Sequence, residues 1–164
     1  MLPQPNHETA AQAIVLLGAR GQTVGTAESL TGGLVAAALT TIPGASAVFR
    51  GGIVAYATDV KQSLLAVPPD LLQRVGTVHR DVALAMAFGV KELLGADVGL
   101  ATTGVAGPEP ADGQPVGTVH IAVAAPSSSM HVPLSLDGTR DRIRQATVNH
   151  LLKLLVRVLM EANA

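Results

Sequence analysis

Short apolar runs alternate with helix-spaced segments, and the alternation closes with a pair of strands. That order predicts an α/β domain built on a mixed, mostly parallel sheet covered by helices on both faces. Composition agrees: 48% of residues are hydrophobic and only 14% charged, so much of the chain must be buried. With 164 residues the chain fits a single domain, 1–164, large enough for a core that needs no staples. Aromatics make up 2%, which leaves Ala, Val, Leu and Ile to fill that core.

Residues 7–19 place Ala10, Ala13, Ile14 and Leu17 at helical spacing, with Gly18 or Gly21 as the stop. Thr23–Ala27 reads as the first strand. After Glu28 and Ser29, a helix is expected over Leu30–Thr40, closed by Pro43-Gly44. Val48–Tyr56 reads as a second strand whose central glycines would admit another backbone or a ligand. A short helix over Val60–Leu65 and a brief turn from Pro68-Pro69 follow. His79–Leu94 is an Ala-rich helix stopped by Gly95, and Asp97–Thr102 is a strand that feeds a Gly/Pro-rich loop, Gly104–Pro115. Val116–Ala124 and Met130–Leu136 form a hairpin around Pro126–Ser129, and a helix from Thr139 to Glu161 ends the chain.

In such sheets ligands gather beyond the carboxyl ends of the parallel strands. Glu28-Ser29, Tyr56 and Thr102-Thr103 all fall at those ends. Ser29 is either an N-cap, satisfying a free helical N–H, or a nucleophile. Thr31 could serve as the cap instead. A nucleophile needs a base, and none of the five histidines stands convincingly at a strand end, nor does any pair have metal-ligand spacing, so no metal site is expected. Lysine is the other choice. Lys91 and Lys153 belong to long helices, whereas Lys61 follows Tyr56 by five residues, just past a strand end. In a poorly hydrated pocket its amine would lose its proton near neutrality and accept one from serine; on a solvated helix it would not. Tyr56, the only tyrosine, would orient the pair or relay a proton.

Two further stretches bear on a substrate. Thr103 and Gly104 open a glycine loop where backbone N–H groups can approach a ligand. Arg140, Arg142 and Arg144 crowd the first turns of the last helix, where the helix dipole disfavours cations. Asp137 and Asp141 neutralise them on one reading; on the other, an anion such as a substrate phosphate does so.

Other functions are disfavoured. A net charge of −1 and the scarcity of aromatics argue against nucleic acid and anionic membranes as partners. The absence of cysteine removes disulfides and thiolate chemistry. The N-terminus lacks a signal-peptide pattern, and no apolar run approaches the roughly 20 residues needed to span a bilayer, so a cytoplasmic location is expected. Leu151–Glu161 reads equally as core or as the face of a homo-oligomer.

The motifs together carry a resemblance. Ala27-Glu28-Ser29-Leu30-Thr31-Gly32-Gly33, then Gly52-x-x-x-Tyr56-x-x-x-x-Lys61, Thr103-Gly104-Val105-Ala106-Gly107-Pro108, Pro115-Val116-Gly117 and Gly138-x-Arg140-x-x-Ile143-Arg144 occur in order over about residues 8–160. They resemble the CinA C-terminal domain family, which includes nicotinamide-nucleotide amidases, in its stand-alone form. The resemblance implies a three-layer α/β/α fold and hydrolysis of the carboxamide of nicotinamide mononucleotide, a small nucleotide substrate. It places the nucleophile on Ser29, the lysine base on Lys61, and pocket residues on Ser46, Tyr56, Thr103 and Arg140, with Arg144 a second candidate for the phosphate. Backbone N–H groups around Thr31, Gly32 and Gly33 become candidates for an oxyanion site, and Glu28, if exposed, for a neighbour of the cationic ring. No cofactor is required by this chemistry. The chain departs from the family at His79, Gln114 and the Glu109–Gly113 stretch, which bear on the rim of the site. The rival expectation is a non-catalytic nucleotide-binding or protein-interaction module on the same fold.

Overall fold

The computed structural model describes residues 6–162. The chain opens with helix α1 (His7–Arg20), strand β1 (Val24–Glu28) and helix α2 (Leu34–Thr40). After a 3-10 turn at Ala45–Ala47 come β2 (Phe49–Val54), α3 (Thr58–Leu65), α4 (Pro69–Val75) and α5 (Arg80–Leu94). Strands β3 (Val98–Gly104), β4 (Thr118–Ala124) and β5 (Ser129–Ser135) precede the terminal helix α6 (Arg140–Glu161).

The sheet has five strands in the order β2-β1-β3-β4-β5. β1 pairs in parallel with both β2 and β3, while β4 runs antiparallel to β3 and to β5. Every strand but β4 therefore points the same way, the mixed and mostly parallel sheet that the alternation of elements predicts. Register sets Glu28 beside both Val54 and Thr102, so three carboxyl strand ends meet at one edge of the sheet.

Alternating side chains divide the core in two. Val24, Val98, Leu100, Val119 and Ile121 face α1, α2 and α6 in one apolar cluster. Ala27, Ala101, Ala122 and Ala124 face α5, with α3 and α4 beside it, in the other. The bulky face takes the bulky helix α6, which buries Leu151, Leu152, Leu155 and Leu159. The small face lets α5 lie almost on the backbone: a methyl added at Gly99 would stand 1.9 Å from the Ala87 carbonyl. Layering of α1/α2/α6, sheet and α3/α4/α5 is the three-layer arrangement.

Two expectations shift. The helix expected from Leu30 begins at Leu34, because Gly32 and Gly33 adopt φ of +58° and +101° and keep residues 29–33 in a turn. The stretch from Pro68 forms a true helix, α4, with Pro69 at its first position, where a missing N–H costs nothing. His79 caps α5 by accepting the Asp81 N–H. Among the described residues no helix is long and apolar enough to cross a membrane. The alternative of Leu151–Glu161 as an outward face narrows: Leu151, Leu152, Leu154, Leu155, Val158 and Leu159 are buried within this one chain.

Candidate active site

Ser29 is the first residue beyond β1. Its N–H donates to Thr102 O at 3.1 Å and lies 3.2 Å from Thr102 Oγ1, so the neighbouring strand fixes the serine backbone. Thr31 Oγ1 meets the same Thr102 hydroxyl at 2.8 Å. The Thr31 side chain is thus fully buried in the sheet edge and unavailable to a ligand.

Lys61 comes from α3, and it is not the solvated helix lysine that its position also allowed. Only 1% of the residue is exposed. Nζ has three partners: Ser29 Oγ at 3.0 Å, Ala55 O at 2.7 Å and Tyr56 O at 3.1 Å. Two of the three are carbonyls, which only accept. A neutral amine has two N–H donors and one lone pair, so with both donors given to Ala55 and Tyr56 the lone pair is left for the Ser29 proton. Burial supplies the neutral form by pulling the Lys61 pKa from 10.5 to about 8, with the Asp112 carboxylate opposing part of that shift.

Ser29, Tyr56, Lys61, Gly104, Asp112 and Arg140 line one cleft of about 200 Å³. Tyr56 contributes in two ways that its sequence position did not separate: its carbonyl orients Lys61, while its phenol oxygen accepts from Arg140 at 3.0 Å and makes no hydrogen bond to Ser29 or Lys61. Arg140, the first residue of α6, also donates to Gly107 O at 2.6 Å. Among the described residues no histidine lines the cleft.

Several expected ligand-binding residues have other roles. Glu28 is 1% exposed, and its carboxylate accepts the Val35 and Ala36 N–H groups at 2.8 and 3.1 Å, capping α2. The condition that it be exposed to a cationic ring fails. Arg144 lies behind the nucleophile turn, donating to Leu30 O at 2.9 Å and Thr31 O at 3.3 Å, and is not in the cleft wall. Thr103 is buried and donates to Thr77 O at 2.7 Å. Ser46 lies in the 3-10 turn that precedes β2, at the amino end of a strand whose carboxyl end serves the cleft, and it lines a separate depression with Thr40 and Phe49. Gly32 and Gly33 shape the turn and do not border the cleft.

Sequence reasoning passed over Thr58, Thr77 and Asp112 as site residues, although all three line the cleft. Asp112 lay within a stretch marked only as a departure. Its signal was one of two acids, with Glu109, in a Gly/Pro-rich loop, and only folding places that loop against Thr77 in the α4–α5 connection.

The CinA C-terminal domain model matches residues 6–159, and the chain belongs to that family. It is 53% identical to a CinA-like protein of Frankia casuarinae over 144 residues, 88% of this chain and 33% of that protein. It is 48% identical to a putative competence-damage inducible protein of Desulforamulus reducens over 134 residues, 82% of this chain and 33% of that one. The chain thus spans about a third of the length of these curated relatives. A crystal structure of the competence/damage inducible protein CihA from Agrobacterium tumefaciens superposes with a TM-score of 0.90 at 39% identity, covering 96% of this chain and 97% of that one. A CinA superfamily protein from Klebsiella pneumoniae gives 0.92 at 31% identity, covering 96% and 99%.

Proposed function

We propose that this chain is an amidohydrolase that converts nicotinamide mononucleotide to nicotinate mononucleotide and ammonia, with Ser29 as nucleophile and Lys61 as base. One observation carries the reading. The buried Lys61 amine has two carbonyl acceptors and one hydroxyl around it, so its neutral form aims a lone pair at the Ser29 hydroxyl 3.0 Å away.

In the first half-reaction, Lys61 takes the Ser29 proton as Oγ attacks the carboxamide carbon. The positive pyridinium ring withdraws electrons from that carbon and favours attack. Negative charge then develops on the amide oxygen. The N–H groups of Leu30 and Thr31, next along the turn, make no hydrogen bond among the described residues and are the donors best placed by sequence to receive it. Arg144 holds the Leu30 carbonyl, and in a planar trans peptide that orients the Thr31 N–H the opposite way. Protonated Lys61 returns its proton to the departing nitrogen, ammonia leaves, and an ester remains on Ser29. In the second half, Lys61 takes a proton from water, hydroxide attacks the ester, and the carboxylate product departs as Ser29 regains its proton. Arg140, at the cleft wall, is the candidate partner for the substrate phosphate.

The direct test is ammonia release from nicotinamide mononucleotide by the purified, metal-stripped chain. Turnover supports the assignment. A folded chain that binds the nucleotide and releases no ammonia would make it the non-catalytic module instead.

A further inference from the structure

The mechanism above leaves one charged group of the cleft without a role. Asp112 stands in the loop between β3 and β4, on the cleft wall with Lys61 and Arg140. Its Oδ2 accepts the Thr77 N–H at 2.8 Å and the Thr77 hydroxyl as well. Thr77 is itself held, since its carbonyl accepts from Thr103 at the end of β3. Oδ1 takes no hydrogen bond and the carboxylate joins no ion pair among the described residues. Among the described residues lining the cleft, Asp112 is the only acid, Lys61 and Arg140 the only basic side chains, and Tyr56 the only phenol. Thr77 holds the Asp112 carboxyl below its ordinary value, which keeps it ionised at neutral pH.

An acid fixed by neutral donors, with one oxygen spare, is preorganised for a positive partner. Arg140 gives one N–H each to Gly107 O and the Tyr56 phenol, keeps further donors for an anion and forms no ion pair with Asp112 among the described residues. Lys61 is taken up by its own three partners. A cationic group on the ligand is then the partner that remains. We propose that Asp112 is the specificity residue for positive charge on the substrate, pairing with a cationic aromatic amide while Arg140 takes the anionic end. The role of Arg140 here rests on the amidase reading; the charge preference of Asp112 is tested apart from turnover.

The probes are nicotinamide mononucleotide, whose ring is cationic, and its reduced dihydro form, whose ring is neutral. Both are titrated into a Ser29→Ala chain with and without Asp112→Asn, so that neither is hydrolysed. Asparagine keeps an oxygen for Thr77, and thermal melting confirms that the loop is held. The expected result is binding of the cationic probe weakened about three- to tenfold, with the neutral probe changed less than twofold. Equal weakening of both, or of neither, would overturn the role. If neither probe binds even with Asp112 present, the nucleotide-amide reading itself fails, an outcome distinct from a loss of charge preference.

A second readout uses the Ser29-intact chain. Asp112 raises the Lys61 pKa, so Asp112→Asn should move the rising limb of activity against pH to lower pH. A loop strap with no charge role would leave the limb in place, and that result would count against the proposal.

Discussion

Lys61 Nζ and Ser29 Oγ lie 3.0 Å apart, although the residues come from different elements and 32 positions apart in sequence. What distinguishes the contact from a structural hydrogen bond is that the other two acceptors around Nζ are carbonyls. Lys61→Arg keeps the charge and much of the length but supplies a group that is effectively never deprotonated. Its ammonia release should fall by about a thousandfold or more, within the range for loss of a general base. Near-parental activity in that variant would reduce Lys61 to an electrostatic support.

The pH dependence follows from the same residue. With the Lys61 pKa near 8, the neutral amine is the active form, so kcat/KM should rise through about pH 8 and level off above it. Stability has a defined sign as well. Below about pH 8 folded and unfolded chains both hold the proton; between 8 and 10.5 the unfolded chain holds it and the folded chain does not. Folding is therefore favoured progressively across that window, and the parent should gain stability over Lys61→Met as the pH rises through it. Denaturant titrations of both proteins at pH 7 and pH 10 measure the difference.

Glu28 holds the helix that follows the nucleophile. Its two oxygens accept the Val35 and Ala36 N–H groups out of contact with water. Glu28→Ala leaves both donors without a partner and should cost about 2–4 kcal/mol. Glu28→Gln keeps one acceptor and should cost less. Urea unfolding orders the three proteins. A Glu28→Ala chain as stable as the parent would show that water satisfies those N–H groups.

The two arginines of α6 should separate on kinetics. Arg140 lines the cleft and Arg144 grips the Leu30 and Thr31 carbonyls from behind. Arg140→Ala should lower kcat/KM about ten- to a hundredfold for nicotinamide mononucleotide and much less for the riboside that lacks phosphate, the range for a lost charge-assisted contact. Arg144→Ala should lower both by the same factor, through a loosened nucleophile turn. Equal losses for Arg140→Ala would move the phosphate elsewhere.

The sheet was legible because its signals are local. Val24, Ala27, Val98 and Ala101 sit in short β-favouring runs punctuated by glycine, and α5 and α6 carry long helical periodicity. The Ser29–Lys61 pairing was legible only in part: Ser29 falls just past a strand end, but Lys61 lies within α3, where spacing alone equally allowed a solvated lysine, and the family motif rather than periodicity joined the two. Roles set by burial were not. Glu28 and Ser29 are neighbours in sequence, yet one faces α2 and the other the cleft, a division decided by the twofold alternation of β1 and by the left-handed turn at Gly32-Gly33. Arg144 looked like a second phosphate ligand because it shares a helix face with Arg140; a single turn of α6 carries it from the cleft wall to the back of the nucleophile turn. Asp112 depended on a loop fold that no periodicity encodes.

Covalent catalysis in this cleft depends first on the Ser29 hydroxyl. Ammonia release from nicotinamide mononucleotide by Ser29→Ala, measured on protein with a parental melting curve, isolates it, because the change removes a single oxygen from a residue held by its backbone at Thr102. Loss of activity by about ten-thousandfold or more, with nucleotide binding retained, is the predicted result. Turnover within about tenfold of the parent would contradict a covalent serine mechanism.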